Sequence, residues 1–573
     1  MHVSTTRRHY KDKVYETTLL RRSYREGGKV KSETLANVSH LPAETIELVR
    51  ASLAGARHVE AGADWEIERS LPHGHVAAVG AMADKLELGK LLGPACPQRD
   101  LALALVVARV VRPASKLATT RWWAQTTLAE DLGVAGASTD DVYAAMDWLV
   151  ARQSPIEGAL ARRHLTPGGR VLYDLSSSWV EGRHCELAAR GYSRDGKAGR
   201  DQVEYGLTCD PEGRPVAVEV FAGNTADPTA FISAAASMRT RFGLADVVMV
   251  GDRGMITSAR IEALREVGGL GWITSLRAPA VQALADSGVL QMSLFDEHNL
   301  AEISHPDYPG ERLVACRNPA LATERARKRE ELVVATEADL EPIKAAVARE
   351  RRPLRGKDKI ALRVGKVINR HKVAKHFALD IGDAHFRYGR KTDAVAAEAA
   401  LDGIYVVRAS AEHNAALGAP ELVEAYKDLK FNEASFRSLK TVDLDIRPIH
   451  HWTEPRVRAH VLICMLALYV TWHLRRAWAP LCFTDEAPPE RADPVAPARR
   501  SSSALTKASR QRHDDGRPVH SFATLLGELA TLTRNTIMFT GGARIAKLAI
   551  PTPLQRRAFE LIGAPIHVQL SHM

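Results

Sequence analysis

The order of apolar and polar positions predicts the elements of the middle of the chain. "GGRVLYDLSSSWVEG", from Gly168, is a short apolar strand with a polar end, and the next segment holds two strands around "DPEG", from Asp210. "PTAFISAAASMRTRFG" has helical spacing, and "ADVVMVG" is an apolar run of the kind that a strand covered on both faces requires. A further helix and the strand "LGWITSL" complete the order β-β-β-α-β-α-β. This order predicts an α/β fold, a mixed sheet flanked by helices.

The flanking regions have different patterns. Alternating segments around Gly27-Gly28 predict strands at the N-terminus, and a helical region follows. In that region Ser138 is expected to cap a helix, and either a helix-turn-helix or a plain helical bundle fits, with the bundle favoured. The predicted divisions are an N-terminal β-rich region (1–70), a helical region (71–167), a first core part (168–280), a β-rich insertion domain (281–415), a second core part (416–484), a disordered linker (485–520) and a C-terminal helical segment (521–573).

Composition and charge narrow the class of protein. The 573 residues are 45% hydrophobic and 25% charged, which is typical of a globular chain. The net charge of +10 is concentrated at residues 349–375, where eleven Lys and Arg stand against two acids. Such a stretch attracts polyanions, nucleic acid above all, although an exposed β-ribbon with a solvated basic face is an equal alternative.

Other features exclude several classes. The six cysteines have no CxxC spacing, so neither a structural zinc site nor a disulfide framework is expected. "LALALVVARVV" and "VLICMLALYV" are too short to span a bilayer and predict buried core helices. With no apolar segment at the start, we expect a cytoplasmic protein that does not bind membranes. His450, His451 and His460 have no partner at metal spacing, so helix packing or a DNA contact is favoured over zinc.

Two acidic residues follow apolar strands. Asp174 comes after "VLY" and Asp252 after "VVMVG". Either one alone is as well explained by a turn or a helix cap. If the two strands are neighbours, the carboxylates repel each other, and a divalent cation with oxygen ligands relieves that repulsion. A third carboxylate from a helix would complete a site for two cations.

The stretch "YKDLKFNEASFRSLK" predicts one amphipathic helix with an unusual feature. Tyr426, Glu433 and Lys440 are seven residues apart and share one ridge beside its apolar stripe. In this helix alone, the pattern is explained as well by a surface ion pair, or by a Glu whose aliphatic stem packs on the apolar face while its carboxylate reaches water.

Together with the two Asp-containing strands, this helix resembles that of bacterial insertion-sequence transposases of the DDE class. Their signature is Tyr, two residues, Arg, three residues, Glu, six residues, Lys. Tyr426, Glu433 and Lys440 match it, whereas Leu429 stands at the Arg position, beside Lys430. "YDLSSSWVEG", "VGDRGM", "LDGIYVVRAS" and "FRSLKTVDLDIRPIHHWTEPRVRAH" resemble the subgroup with a long insertion before the catalytic Glu.

The resemblance implies a fold, a reaction and site residues. The fold would be RNase H-like, with N-terminal regions that bind DNA. Asp174, Asp252 and Glu433 would be catalytic and would bind Mg²⁺ or Mn²⁺, two ions in all. Contacts to DNA phosphates would come from Tyr426 and Lys440, with Lys430 or Arg437 replacing the missing Arg. Arg253 and Arg437 either contact the DNA backbone or pair with nearby acids.

The partners would be double-stranded DNA, as the terminal inverted repeats and the target, and a second copy of the chain in the DNA complex, associated with the nucleoid. Two other readings stay open at this stage. One is an RNase H-like nuclease that cuts without joining, and the other is a transposase-derived DNA-binding protein that has lost catalysis.

Overall fold

The computed structural model describes residues 1–11, 13–56, 65–487, 493–496, 498–513, 515–539 and 542–569. For residues 227, 228 and 267 it describes the backbone alone. The chain forms two compact units, which are described separately. The first comprises residues 1–71 and 534–549, and the second comprises residues 72–533 and 550–573. Elements are numbered along the whole chain.

The first unit contains two small sheets, in which β2 pairs antiparallel with β1 and β3, and β15 pairs antiparallel with β16. One has the order β1-β2-β3 and the other β16-β15-β4. Gly27 and Gly28 join β2 to β3 with φ of +54° and +77°, a backbone that the turn of a tight hairpin requires and that glycine adopts without strain. The elements are β1 (His2–Tyr10), β2 (Lys13–Glu26), β3 (Lys29–Asn37), α1 (Ala43–Leu53), β4 (Trp65–Pro72), β15 (Thr533–Phe539) and β16 (Arg544–Leu548).

The second unit begins with a helical bundle. Its central helix, α4, is buried at every residue from Leu101 to Val110 and is therefore a core helix, as its apolar run predicts. Ser138 and Asp141 form a capping box at the start of α7. The helices are α2 (Gly74–Lys85), α3 (Leu88–Leu92), α4 (Pro97–Val111), α5 (Lys116–Trp123), α6 (Leu128–Asp131), α7 (Thr139–Ala151) and α8 (Gln153–His164).

A mixed sheet follows the bundle, and it confirms the predicted α/β class. β5 pairs antiparallel with β6 and parallel with β8, β6 pairs antiparallel with β7, and β8 pairs parallel with β9. The elements are β5 (Arg170–Trp179), β6 (Gln202–Cys209), β7 (Pro215–Ala222), α9 (Asp227–Thr240), β8 (Val247–Val250), α10 (Ser258–Val267) and β9 (Leu270–Ser275). They occur in the order that the apolar pattern predicts.

Three strands from the predicted insertion extend this sheet. The complete order is β10-β11-β14-β9-β8-β5-β6-β7, in which β14 (Ile404–Ser410) pairs antiparallel with β9. β10 (Leu300–Ile303) and β11 (Glu311–Arg317) lie beyond it. Alternation of helix and strand stops at β9, so the sequence pattern gave no sign that later strands return to the same sheet.

The rest of the insertion is mainly helical, and the prediction of a β-rich domain is wrong. Its small core is formed mainly by apolar residues of α12, α13 and the hairpin β12–β13, among them Leu340, Ile360 and Phe386. Residues 349–375 lie in helix α13, a short 3₁₀ turn and loops, not in a β-ribbon. The elements are α11 (Ala278–Asp286), α12 (Pro319–Ala348), α13 (Lys357–Val367), β12 (Phe377–Ile381), β13 (Phe386–Arg390) and α14 (Thr392–Ala399).

The remaining elements return to the main core. The segment 485–520, predicted as a disordered linker, contains helix α18, in which Ala504 and Lys507 are buried. The C-terminal segment, predicted as helical, also contributes the hairpin β15–β16 described above. The helices are α15 (Ala419–Lys427), α16 (Lys430–Arg437), a π-helical turn (Ser438–Val442), α17 (Glu454–Ala477), α18 (Ser502–Arg510), α19 (Phe522–Ala530) and α20 (Pro553–Ile562). Short 3₁₀ turns lie at Met292–Phe295, Ala374–His376 and Ala479–Leu481.

Helix α17 is the main core helix of this part. Among the described residues it is the one helix long and apolar enough to cross a membrane, but 83% of its most apolar window is buried inside the protein. Burial of this kind is a property of a core helix, and it confirms the prediction made from "VLICMLALYV".

Candidate active site at the strand ends

Asp174 lies within β5, at the level where the adjacent parallel strand β8 ends, and Asp252 follows the end of β8 by two residues. The register pairs Leu172 with Val250, and counting two residues further along each strand brings Asp174 level with Asp252. Neighbouring strands are about 4.8 Å apart, so the two side chains leave the sheet at the same level. In an open sheet this edge is where ligand sites form.

The segment predicted as one helix is broken into two. α15 ends at Lys427 and α16 starts at Lys430, and the chain then widens into the π-helical turn from Ser438. Asp428 and Leu429 form the junction, and Leu429 packs against the main core. Tyr426, Glu433 and Lys440 therefore lie on three successive segments and do not form one straight ridge.

Tyr426 anchors the first of these segments to the sheet. Its hydroxyl forms a hydrogen bond of 2.8 Å with Ser275 Oγ. Because β9 pairs Ile273 with Val250, Ser275 is level with Asp252 on the next strand. Burial raises the pKa of the Tyr426 phenol, and the charge of Asp252 raises it further, although the bond to Ser275 acts in the opposite direction.

Asn432 anchors the second segment at the other side of the site. Its side chain is fully buried, and Nδ2 donates a hydrogen bond of 3.2 Å to the carbonyl oxygen of Leu207. Leu207 is the direct partner of Asp174 in the β5–β6 ladder. Glu433, the next residue, is exposed to solvent and follows an anchor that is tied to the strand beside Asp174.

The charges of the three carboxylates act on one another. Asp174 is half-buried, and its Oδ1 accepts a hydrogen bond of 2.8 Å from the backbone N–H of Leu175. Burial, together with the charges of Asp252 and Glu433, raises its pKa to about 7, while Arg194 acts to lower it. The structure thus brings all three predicted acids into one electrostatic group.

The three acids do not form a metal-binding cluster in this structure. Within the described ranges no three His, Cys, Asp or Glu side chains form a cluster that could hold an ion. The same result leaves the three histidines after the signature segment without a metal site. Oxygen donors that repel each other, one of them half-buried, are nevertheless a donor set that suits hard divalent cations.

Lys440 is held inside the protein. Its Nζ lies 2.8 Å from Asp195 Oδ1, and Arg447 also binds that oxygen. The Asp195 side chain is 1% exposed and belongs to the loop between β5 and β6. Burial lowers the pKa of Lys440, and the hydrogen bond to Asp195 opposes that shift.

The three other predicted cations are exposed near this edge. Arg253 follows Asp252, and its backbone carbonyl accepts a hydrogen bond of 3.2 Å from Arg277 Nε. Lys430 Nζ lies 4.6 Å from the centre of the Phe431 ring and 3.9 Å from Asp428. Arg437 lies on the exposed side of α16.

Sequence reasoning missed Asn432, Asp195, Arg194 and Ser275. Asn432 had a signal, because it is a polar residue next to Glu433 on an amphipathic helix and its burial required a partner. The loop sequence "GYSRDGKAGR" offered only its charge, and no local pattern predicts that Asp195 is buried against the residues that follow α16.

Comparison with known protein families gives a match in the N-terminal part of the chain. Residues 3–63 match the family model described as the N-terminal domain of IS1634 family transposases. No curated protein matches the sequence.

Among solved structures, a chain of the piggyBac transposase synaptic complex with hairpin DNA is 10% identical, with 75% of this chain and 70% of that chain covered. Its TM-score of 0.33 is too low for a common fold to follow. The match at residues 3–63 confirms the resemblance of this chain to insertion-sequence transposases.

Proposed function

We propose that the protein is a transposase of the DDE class. It would bind the terminal inverted repeats of its element, hydrolyse the DNA at the ends and join the freed 3′-hydroxyls to target DNA. The observation that supports this proposal is that the charges of Asp252 and Glu433 both act on Asp174, beside the end of β8. Three carboxylates that repel each other are retained where a cation neutralises them.

The order of the first core strands supports the proposal. Numbered within the core, β5 to β9 run 3-2-1-4-5 across the sheet, with the second strand antiparallel and the last two parallel to the first. This order supports an RNase H-like core, in which the first strand and the segment after the fourth would carry the acids. The segment inserted between Ser275 and the helix of Glu433 fits the subgroup with a long insertion.

Asp174, Asp252 and Glu433 are the residues that would hold the metal, Mg²⁺ or Mn²⁺, two ions in all. When bound, the ions would activate the attacking oxygen and stabilise the leaving oxygen of the phosphodiester. The chain's own part is to align the ligands: β5 and β8 fix the two aspartates, and the bond between Asn432 and Leu207 fixes the start of the turn that carries Glu433.

Basic and aromatic side chains around these acids support DNA as the substrate. Tyr426 would meet a phosphate near the scissile bond, and Lys430 or Arg437, both exposed, would replace the Arg whose position Leu429 occupies. Arg253 would contact the backbone. Lys440 would act through its pairing with Asp195 unless DNA competes for it. Binding of two transposon ends would require a homodimer, acting in the cytoplasm on the nucleoid.

Three features of the site also support a second function. The acids do not form a ready-made metal site within the described ranges, Leu429 replaces the signature Arg, and Lys440 is bound to Asp195. These features also fit a transposase-derived protein that binds DNA without cutting it. A nuclease that cuts and does not join has the same requirements as the transposase and is separated from it only by its products.

The experiment is cleavage of a labelled duplex that carries the element's own ends, in Mg²⁺ and in Mn²⁺. Wild type should nick the ends and join them to target DNA, whereas Glu433→Gln should bind the duplex and leave it intact. Glu424→Gln, which changes an exposed acid on α15, is the matched control and should cut like wild type.

Equal cutting by wild type and Glu433→Gln would remove Glu433 from the site. Binding without cutting by wild type in both metals would favour the inactive DNA-binding protein. Nicks without joined products would favour the nuclease.

A further inference from the structure

A cavity of about 300 Å³ lies next to the segment that follows the signature helix, outside the carboxylate site. Lys116 and Arg109 from the bundle line one part of it, and another part is lined by Asp445, Arg447, Pro448, His450, His451 and His460. Ser115, Leu117, Asp445 and His450 are exposed, so they mark its rim. Liquid water takes about 30 Å³ per molecule, so the space exceeds what a phosphate group with part of its hydration requires.

Two cations are buried at this cavity without a carboxylate partner. Lys116 and Arg109 are each 5% exposed. In the parts of the chain that the structure describes, neither lies within ion-pair distance of an acid. Arg109 donates to the carbonyl oxygens of Ala114 and Leu444, at 2.8 and 3.4 Å, which leaves further N–H groups of its guanidinium. Burying an unpaired charge is costly, and an anion offsets that cost.

The histidines prepare Lys116 to donate. His460 Nε2 lies 2.9 Å from the carbonyl oxygen of Ile446, and since a carbonyl only accepts, this nitrogen carries the proton. His460 Nδ1 is therefore an acceptor, and Lys116 Nζ donates to it at 3.2 Å. Burial, with the charges of Lys116 and Arg109, lowers the pKa of His451 to about 3 and that of His460 well below its usual range. The histidines stay neutral, and the positive charge at the cavity comes from Arg109 and from Lys116 in its protonated form.

The cavity is also linked to Lys440 of the candidate site through Arg447. Arg447 lines it and binds Asp195, the same carboxylate that holds Lys440. Among the described residues of the lining, Asp445 alone carries a carboxyl group, and it lies at the exposed rim. An anion inside would thus meet Arg109, Lys116 and the N–H groups around them, with little opposing charge.

We propose that this cavity binds a phosphate group, which Lys116 and Arg109 hold by charge-assisted hydrogen bonds. A phosphodiester of bound DNA and free inorganic phosphate offer the same chemistry. Only the DNA source rests on the proposed function. The site itself stands on the cavity and its unpaired cations.

The test uses the full-length chain in buffer that contains no divalent metal and no target DNA. The probe is inorganic phosphate, compared with chloride at equal ionic strength, and the readout is the thermal midpoint. Phosphate should raise the midpoint of wild type by about 2–4 °C and should not raise that of Lys116→Met. Lys507→Met is the matched control, because Lys507 is another buried lysine but pairs with Glu486, so its variant should keep the full rise.

The second arm measures duplex binding against salt for the same proteins. If a DNA phosphodiester occupies the cavity, the slope of log K against log salt is smaller by about 0.9 in Lys116→Met than in wild type. A thermal rise with unchanged slope assigns the site to free phosphate, and a reduced slope assigns it to DNA. The proposal is overturned if phosphate raises the midpoint equally in all three proteins and their slopes are equal. It is also overturned if phosphate does not raise the wild-type midpoint and the slopes of wild type and Lys116→Met are equal. Lys116→Gln replaces the methionine variant if that chain does not fold.

Discussion

Lys440 Nζ donates to Asp195 Oδ1 at 2.8 Å, with 10% of the lysine side chain and 1% of the aspartate side chain exposed. The lysine of the signature is thus bound to the loop between β5 and β6, and the same carboxylate also binds Arg447. One acid therefore connects the first hairpin of the core to both ends of the segment that follows α16. We infer that this acid sets the position of that segment beside the triad.

Replacing Asp195 should destabilise the fold. Asp195→Ala leaves Lys440 and Arg447 largely buried without their partner, and breaking such a pair costs about 3–5 kcal/mol. Urea unfolding measures the change. Asp201→Ala, which removes an exposed acid 3.7 Å from Arg190, should change stability by less than about 0.5 kcal/mol. Equal losses in the two variants would show that Asp195 is not a structural centre.

Asn432→Ala should slow DNA cutting even under conditions in which the variant is fully folded. The side chain is the anchor that ties the start of α16 to Leu207, so its loss frees Glu433 without removing it. We expect a rate reduction of about tenfold or more under conditions in which the variant is fully folded, since small displacements of positioned groups are costly to catalysis. Cutting assays and urea unfolding measure the two effects.

The control is Asn414→Ala. Asn414 is equally buried but donates to the carbonyl oxygen of Ser410, at the end of β14. Its variant should lose stability and, once folded, cut at the wild-type rate. If both variants slow cutting equally, Asn432 has no particular role at the site.

Asp174→Asn should stabilise the protein when no divalent metal is present. The substitution removes a charge that burial destabilises and that Asp252 and Glu433 repel, a gain on the order of 1–2 kcal/mol once solvent screening is considered. Thermal unfolding in EDTA should show a higher midpoint for the variant. Adding Mg²⁺ should raise the wild-type midpoint and leave that of Asp174→Asn nearly unchanged. A variant less stable than wild type in EDTA would contradict the repulsion.

Much of this site could be predicted from sequence because its signals are local. Asp174 and Asp252 end apolar runs, and the spacing of Tyr426, Glu433 and Lys440 is contained in one short segment. The break at Asp428 and Leu429 could not be seen, since both residues are compatible with a helix and tertiary packing of Leu429 decides the bend. The pairing of Lys440 with Asp195 joins residues 245 positions apart, which no periodicity records.

The sheet shows the same limit. Strands β5 to β9 follow the regular alternation and were predictable, whereas β14 returns to β9 after a long helical insertion. Lys116 is a comparable case in the bundle: it lies at the start of α5, and only the packed structure shows it buried beside His460.

Stability should depend on pH through Lys116. Burial and the nearby Arg109 lower its pKa to about 7, from about 10.5 in the unfolded chain. Between these values the unfolded state binds the extra proton, so stability from this group increases as pH rises from 7 towards 10.5 and its cost is greatest below pH 7. Lys116→Met should therefore be more stable than wild type at pH 6.5, by about 2–4 kcal/mol, and the difference should shrink towards pH 10. Urea unfolding in buffers without phosphate measures it, and a difference that does not vary with pH would contradict the assignment.

Variants of Tyr426 and Ser275 can separate two roles of the Tyr426 hydroxyl, the bond to Ser275 and a contact with DNA. Tyr426→Phe and Ser275→Ala each remove the 2.8 Å bond that ties α15 to the end of β9. If the phenol acts only through that bond, the two variants should lose stability equally, by about 1 kcal/mol, and cut DNA at equal rates. If the phenol also contacts a phosphate of the transposon end, Tyr426→Phe should bind and cut the end duplex several-fold less well than Ser275→Ala. We expect the second result, because the Tyr426 hydroxyl bonds Ser275, which is level with Asp252 on the next strand. Equal binding and cutting by the two variants would limit the tyrosine to a structural role.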